Sequence, residues 1–479
     1  MALSFQESDG CTAIWKFINM VQQQMVVNGG PDDALSEDMA PEAAPVNLPV
    51  PDINNLKEVE LEMRQLNNTQ AGRDALAKFV IHEEYIPKLV PLVEEAEAAH
   101  RLGELHRLCN IVKMLILLND NDIIEYAMTD EVFLGVMGAL EYDPDFPSHK
   151  ANHRQWLGDE SRYKEVVRID DDQVRRKIHH TYRLQYLKDV ALARVLDDPT
   201  FSILNSLIFY YQVDIIQHIQ GNPAFLNDLF AIFGPEEKDE KRKKDAVLFI
   251  QQCCAIAKNF QPPARNSLYN NFLSHGLLAV INYALAHSDV AVRVGATDVL
   301  VSVIDHDPQM IRQTIFRQIS EKQRPLTDSL IDLLLVEVDL GVKAQIADAI
   351  KVLLDPGSQQ GPQEGMGKLG MEFGGRGRPQ VDPQQEGFLV KFYEESAKRL
   401  FSPLVELKDK ENLVFNVQQV SLFEHLIEIL WFFIRQHQHR SKYFVLAESL
   451  GQRIAQLLSC PEKHLKLSKF ILAFVTIRS

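Results

Sequence analysis

His149 and His153 stand four residues apart, a spacing that sets two imidazoles on one helix face, where they could share a zinc ion. A zinc hydrolase of the His-Glu-x-x-His kind needs glutamate directly after the first histidine. Lys150 stands there, so the pair reads as surface histidines. His179-His180 and His437-x-His439 converge even less, because near neighbours on a helix point to different sides. Cys253-Cys254 lies in an apolar run over 247–257 and reads as two buried, inert thiols. No Gly-x-Ser-x-Gly elbow and no Gly-x-x-x-x-Gly-Lys-Ser/Thr phosphate loop occurs. Nothing in these residues asks for a cofactor or a metal. Gly374-Gly375-Arg376-Gly377-Arg378 reads as linker, with a weak nucleic-acid or modification tract as its alternative.

Binding chemistry is easier to find than catalysis. Lys241, Arg242, Lys243 and Lys244 form a basic run of the kind a nuclear-import receptor reads. The same run, diluted by Glu236, Glu237, Asp239 and Glu240, also reads as a solvated helix start. The segment 175–220 is the richest in the chain. It carries Tyr182, Arg183, Tyr186 and Lys188, then Asn205, Tyr210, Gln212, Asp214 and His218. Tyrosine and arginine are the types that carry binding energy at interfaces. The same tyrosines would equally serve packing between helices. Arg168, Arg175, Arg176 and Lys177 make a basic approach to this segment, suited to an acidic or phosphorylated partner.

The elements that must position these residues are helices. The 479 residues are 46% apolar and 24% charged, an ordinary globular composition. Fifty Lys and Arg against sixty-six Asp and Glu leave a net charge of −16, which argues against a general nucleic-acid binder. Five cysteines without a Cys-x-x-Cys point to a reducing compartment. Apolar runs such as 429–434 and 470–475 fall short of the roughly 18 residues of a membrane span, and the first residues lack the basic start of a secretory signal. Leu102, Leu105, Cys109, Val112 and Ile116 step by three and four, which predicts one amphipathic helix with Arg101, Glu104, Arg107 and Lys113 on its other face. Asp-Pro and Asn-Pro pairs at 143, 198, 222, 307 and 355 punctuate the pattern, since proline suits the first turn of a helix. Two stretches read as linkers. One is 25–52, where 31–51 holds five prolines, five acids and no Lys or Arg. The other, 356–387, holds nine of the 23 glycines.

Two internal echoes organise the rest. Asn121-Asp122-Ile123-Ile124 returns as Val213-Asp214-Ile215-Ile216, at an offset of 92. Ser288-Asp289-Val290 returns as Val338-Asp339-Leu340 at an offset of 50, with Val292-Arg293 answered by Val342-Lys343 and Asp298 by Asp348. These are periods of helical repeats or of their pairs. The aspartates can accept bonds from the free amides of a helix start while the apolar positions pack on a neighbouring repeat. The expectation is an all-α chain, an armadillo- or HEAT-like α-solenoid over 53–355 that resumes over 388–479.

Several stretches resemble one family. They are His180-Thr-Tyr-Arg-Leu-Gln-Tyr-Leu-Lys-Asp189, Leu196-Asp-Asp-Pro-Thr-Phe-Ser202, Leu207-Ile-Phe-Tyr-Tyr-Gln-Val-Asp-Ile-Ile-Gln-His-Ile219, and Ala255-Ile-Ala-Lys-Asn-Phe-Gln-Pro-Pro-Ala-Arg265. The chain is similar through them to regulatory subunit 3 of protein phosphatase 4, the SMEK family. The resemblance implies an N-terminal EVH1-type domain, of which residues 1–24 would keep only the last strand and closing helix, and an armadillo-like centre. It places both ends of the chain inside the family's pattern.

The resemblance also implies a non-catalytic scaffold that binds the phosphatase 4 catalytic subunit and a second regulatory subunit and brings phosphoprotein substrates to them. Direct contact with nucleic acid or membrane is not expected. Roles in DNA-damage recovery and mitosis, and a place in the nucleus and also the cytoplasm, go with the family. Gly158-Asp159-Glu160 echoes a metal-phosphatase motif only superficially, since no second such motif follows. The alternative is an armadillo-type transport or adaptor protein. Those grooves carry Trp and Asn at the repeat period, whereas Trp15, Trp156 and Trp431 do not recur at it.

Overall fold

The computed structural model describes residues 46–355, 383–409, 415–437 and 439–457. The expected EVH1 remnant at 1–24 and most of both linkers lie outside them. Every element among the described residues is a helix. The chain divides into two compact units, one of Met1–Asp159 with Tyr182–Leu207, the other of Glu160–Thr181 with Ile208–Ser479.

In the first unit the helices are α1 (Leu56–Leu66), α2 (Gln70–His82), α3 (Tyr85–Ala98), α4 (Leu102–Ile116), α5 (Asn121–Ala127), α6 (Phe133–Leu140) and α7 (His153–Leu157). α4 is the central one and touches α1, α3 and α6. The predicted stripe on α4 is buried at Leu105, Cys109, Val112 and Ile116, but Leu102 is exposed, and Leu108, Ile111 and Leu115 are buried as well. A helix with neighbours on three sides buries more than one stripe. The end of the expected first linker is packed rather than free. Leu48 is buried, and the Tyr85 hydroxyl donates to the Pro49 carbonyl at 2.8 Å.

α8 (Asp172–Tyr186) and α9 (Asp198–Gln220) carry residues of both units. The second unit continues with α10 (Pro223–Ala231), α11 (Glu240–Ala257), α12 (Pro262–His275), α13 (Leu277–Leu285), α14 (Val290–His306), α15 (Pro308–Ser320), α16 (Leu326–Val336) and α17 (Leu340–Leu354). After the second linker come α18 (Pro383–Lys391), a π-helical turn at Phe392–Ser396, α19 (Ala397–Leu400), α20 (Ser402–Val405), α21 (Val417–Gln436), α22 (His439–Ala447) and α23 (Leu450–Leu457). The linker thus ends sooner than 387, because α18 begins at Pro383 and buries Phe388 and Leu389.

The second unit is a stack of helical repeats. α11, α14, α17 and α21 lie side by side in one row, and α13, α16 and α19 in another. The 50-residue echo is the repeat itself. Asp239, Asp289 and Asp339 cap α11, α14 and α17, accepting from the amides of Lys241, Ala291 and Val342 at 2.9 Å in each case. Asn416 does the same for α21, in a capping box with Gln419. Ion pairs also knit the row. Lys244 pairs with Asp289, and Arg293 forks onto Glu337 at 2.5 and 2.9 Å. Gly295 lets α14 lie close to α11, for a Cβ there would sit 3.2 Å from Val247 Cγ1. The 92-residue echo has no such basis. Asp122 starts the short α5, whereas Asp214 sits inside the long α9.

α21 is long and apolar enough to cross a membrane by length and composition. The uninterrupted runs did not show this, because Glu424 and Glu428 break them. Its Phe423, Leu426, Ile427, Leu430 and Phe433 are buried where it packs beside α17.

Candidate partner-binding site

The segment singled out by composition divides between the two units. In the first unit, Leu187–Ala191 forms a π-helical turn directly after α8, closed by the Leu192 amide donating to the Leu187 carbonyl at 2.9 Å. Leu187 and Leu192 are fully buried and anchor this turn. Such turns gather at functional sites. Asp189 and Val190 are exposed on it, whereas the Lys188 side chain is half-buried.

α9 begins six residues later. Asp197 caps it by accepting from the Thr200 amide at 2.9 Å, and Pro199 fits its first turn. Thr200 is fully buried and its hydroxyl donates to Asn119 Oδ1, in the turn that follows α4. The start of α9 is therefore pinned to the body of the unit. Between the π-turn and α9 lies an open cavity of about 420 Å³, lined by Lys188, Asp189, Ala193, Leu196, Asp197, Asp198 and Phe201. The Lys188 ammonium donates to Asn205 Oδ1 at 3.1 Å, lies 3.3 Å from Asp189, and sits 5.4 Å from the centre of the Phe201 ring. Phe201 is 47% exposed and Val190 52%.

The other expected first-unit residues are spread around this site. Arg183 donates to the Met128 carbonyl at 2.6 Å and to Asp130 at 2.5 Å, and its guanidinium covers the Phe133 ring. It holds the turn before α6 in place and is not a free docking cation. The Tyr186 hydroxyl meets His153 Nδ1 at 3.0 Å. His153 is only 9% exposed, so the reading of it as a surface histidine is overturned. Burial lowers its pKa, with Glu141 opposing. Tyr182 is exposed.

In the second unit, Lys177 pairs with Asp214, Arg175 with Asp172 and Arg168 with Asp170. His218 lies 3.9 Å from Asp171. Arg176 is exposed, Gln212 half-buried, and Tyr210 is 72% exposed. The basic approach is thus mostly matched by the chain's own carboxylates. The run Lys241 to Lys244 lies in the first turn of α11. Arg242 pairs with Glu237 at 2.8 Å, Lys243 with Glu240 at 2.9 Å, and Lys244 with Asp289.

Among the described residues no three His, Cys, Asp or Glu side chains gather as a metal site. Cys253 and Cys254 are buried as expected, and burial pushes the Cys253 thiol up to about 12. Sequence reasoning missed Phe201, Asp189, Asp197 and Asp198 as site residues. The Asp-Asp-Pro-Thr-Phe signature of a capped helix start was legible, but the π-turn that opens a cavity beside it was not.

Comparison with known proteins places this architecture. The family model for phosphatase 4 regulatory subunit 3 matches residues 58–478. An uncharacterized protein of Schizosaccharomyces pombe is 37% identical over 489 residues, covering 98% of this chain and 57% of its own. Suppressor of Mek1 of Dictyostelium discoideum is 32% identical over 461 residues, covering 95% of this chain and 40% of its own. Serine/threonine-protein phosphatase 4 regulatory subunit 3 of Drosophila melanogaster is 28% identical over 484 residues, covering 98% and 47%. The chain spans about half the length of these relatives. A match that runs through both units, the capped repeats and the π-turn segment alike, makes this chain a member of the phosphatase 4 regulatory subunit 3 family.

Proposed function

We propose that this chain is a scaffold subunit of a serine/threonine protein phosphatase 4 complex. In this reading it binds the catalytic subunit together with a second regulatory subunit and presents phosphoprotein substrates to them. The family match over residues 58–478 carries the reading. The helical stack supports it, since repeats of this kind offer extended surfaces for partners and leave catalysis to another chain. The exposed surface around Lys188 and Phe201 is the partner contact we favour. Action in DNA-damage recovery and the cell cycle, in the nucleus and also the cytoplasm, belongs to the same proposal.

The test is co-purification of the tagged chain with candidate phosphatase subunits, read by mass spectrometry. Recovery of a phosphatase 4 catalytic subunit is the expected result. Its absence from a chain that is helical by circular dichroism would overturn the proposal.

A further inference from the structure

We infer that the cavity beside the π-turn is a docking pocket for a partner segment that sets one apolar side chain between flanking lysines or arginines. The inference rests on the scaffold reading and names the chemistry of one of its partners.

The apolar half of the argument is the wall. Leu196, Ala193 and the Phe201 ring line a space of about 420 Å³. That is near the small end of ligand sites, enough for a side chain and its backbone. An aromatic ring left 47% exposed, with the Lys188 ammonium 5.4 Å from its centre, is apolar surface open to a partner. The wall is also fixed in advance. Leu187, Leu192 and Thr200 are buried beneath it, so little ordering is lost on binding.

The charged half is the rim. The start of α9 and the Lys188 ammonium would by themselves draw an anion. Both are already answered. Asp197 occupies the Thr200 amide, and Lys188 is held by Asn205 and Asp189. Three carboxylates, Asp189, Asp197 and Asp198, stand exposed around one cation. The balance is negative, and so is the chain at −16. Complementarity therefore selects a basic segment over an acidic or phosphorylated one. Its apolar side chain would lie on Phe201, and its cations against Asp189 and Asp198.

The experiment is fluorescence anisotropy on the full chain with labelled peptides of about twelve residues. One series places Leu or Phe between Arg and Lys, one replaces that residue by Gly, and one flanks Leu or Phe with Asp and Glu. The basic apolar series is expected to bind, roughly tenfold tighter than its Gly counterpart. Phe201→Ser and Asp198→Lys should each weaken it at least about fivefold, with Asp198→Asn between. Both positions are exposed, and circular dichroism confirms each variant's fold. Preference for the acidic series would overturn the inference, as would equal affinity of wild type and variants or no binding below about 1 mM. Self-association abolished by Phe201→Ser would also overturn it, making the pocket a contact between copies. Failure here leaves co-purification with the catalytic subunit unaffected. Peptide binding without co-purification sinks only the scaffold reading.

Discussion

Arg154 shows how single residues hold the first unit. Its guanidinium reaches Glu97 at 2.5 Å and Glu141 at 2.7 Å, and Glu97 also accepts from the Tyr142 hydroxyl and Lys150. The hydrogen bond from Arg154 is the main reason the Glu97 carboxyl is held down to about 2. The Glu141 side chain is only 3% exposed, so removing the guanidinium leaves its buried charge with the Arg154 amide at 2.8 Å and Lys150 at 3.7 Å. Arg154→Met should cost about 3–5 kcal/mol in urea unfolding. Arg154→Met with Glu141→Gln should recover part of that loss, since the buried charge is gone. A loss under about 1 kcal/mol for the single variant would mean that Lys150 alone satisfies both carboxylates. At Arg183 the structure reverses the sequence's suggestion. Charge reversal there removes bonds to Met128 and Asp130 and should unfold the turn before α6, whereas Lys188→Met should leave the melting curve nearly unchanged. None of this was legible in the sequence. An arginine that docks a partner and one that ties two helices have the same composition around them, and only the fold tells them apart.

At the scale of the element, the 50-residue period was legible because a helix start needs a specific residue type. An aspartate that answers free amides recurs at the starts of α11, α14 and α17, and the apolar spacing behind it follows. Asp339→Ala should cost about 1 kcal/mol, the usual worth of such a cap. Asp289→Ala should cost more, because Asp289 also holds Lys244 of the preceding repeat. Equal losses would mean that the ion pair adds nothing, as many partly exposed pairs do. The end of α17 leaves no such mark in the sequence. The last carbonyls of α17 are met from afar: Arg312 donates to Leu353 at 3.1 Å and to Asp355 at 2.9 Å, and His437 lies 2.8 Å from the Leu354 carbonyl. Arg312 is 1% exposed, and nothing in its neighbourhood of Met310, Ile311 and Ile315 announces a capping role. Arg312→Met leaves those carbonyls buried without donors and should destabilise the second unit by about 2–4 kcal/mol in a thermal or urea melt. The 92-residue echo failed for the complementary reason. It matched apolar residues without matching a cap, and apolar residues recur in any amphipathic helix.

For the whole molecule, stability against pH follows from which groups the fold keeps charged and which it keeps neutral. His153, His306, His425 and His437 all have pKa values lowered chiefly by burial. Each binds its proton less readily folded than unfolded, so its contribution is complete above the unfolded value near 6.5 and is lost as pH falls below it. Glu97, at about 2, and Glu337, where burial pushes upward but the Arg293 fork and the Asp339 and Val338 amides together prevail, are lowered carboxylates. Their contribution is complete above roughly 4.5 and fades as pH falls toward the folded values. Both sets give the unfolded chain the larger proton uptake on acidification, so both lower stability. One effect opposes them. The net charge of −16 shrinks as pH approaches the isoelectric point near 5.4, which relieves repulsion. That repulsion acts between surface charges and is largely screened at 0.15 M salt, whereas burial of an imidazole is not. The histidines should therefore prevail. Urea midpoints by circular dichroism at 0.15 M salt should be flat from pH 8 to about 7, decline gently to about 5, and fall steeply below. His437→Gln should soften the first decline while leaving the second in place. A midpoint that rises between pH 7 and 5.5 would show that surface repulsion outweighs the buried histidines.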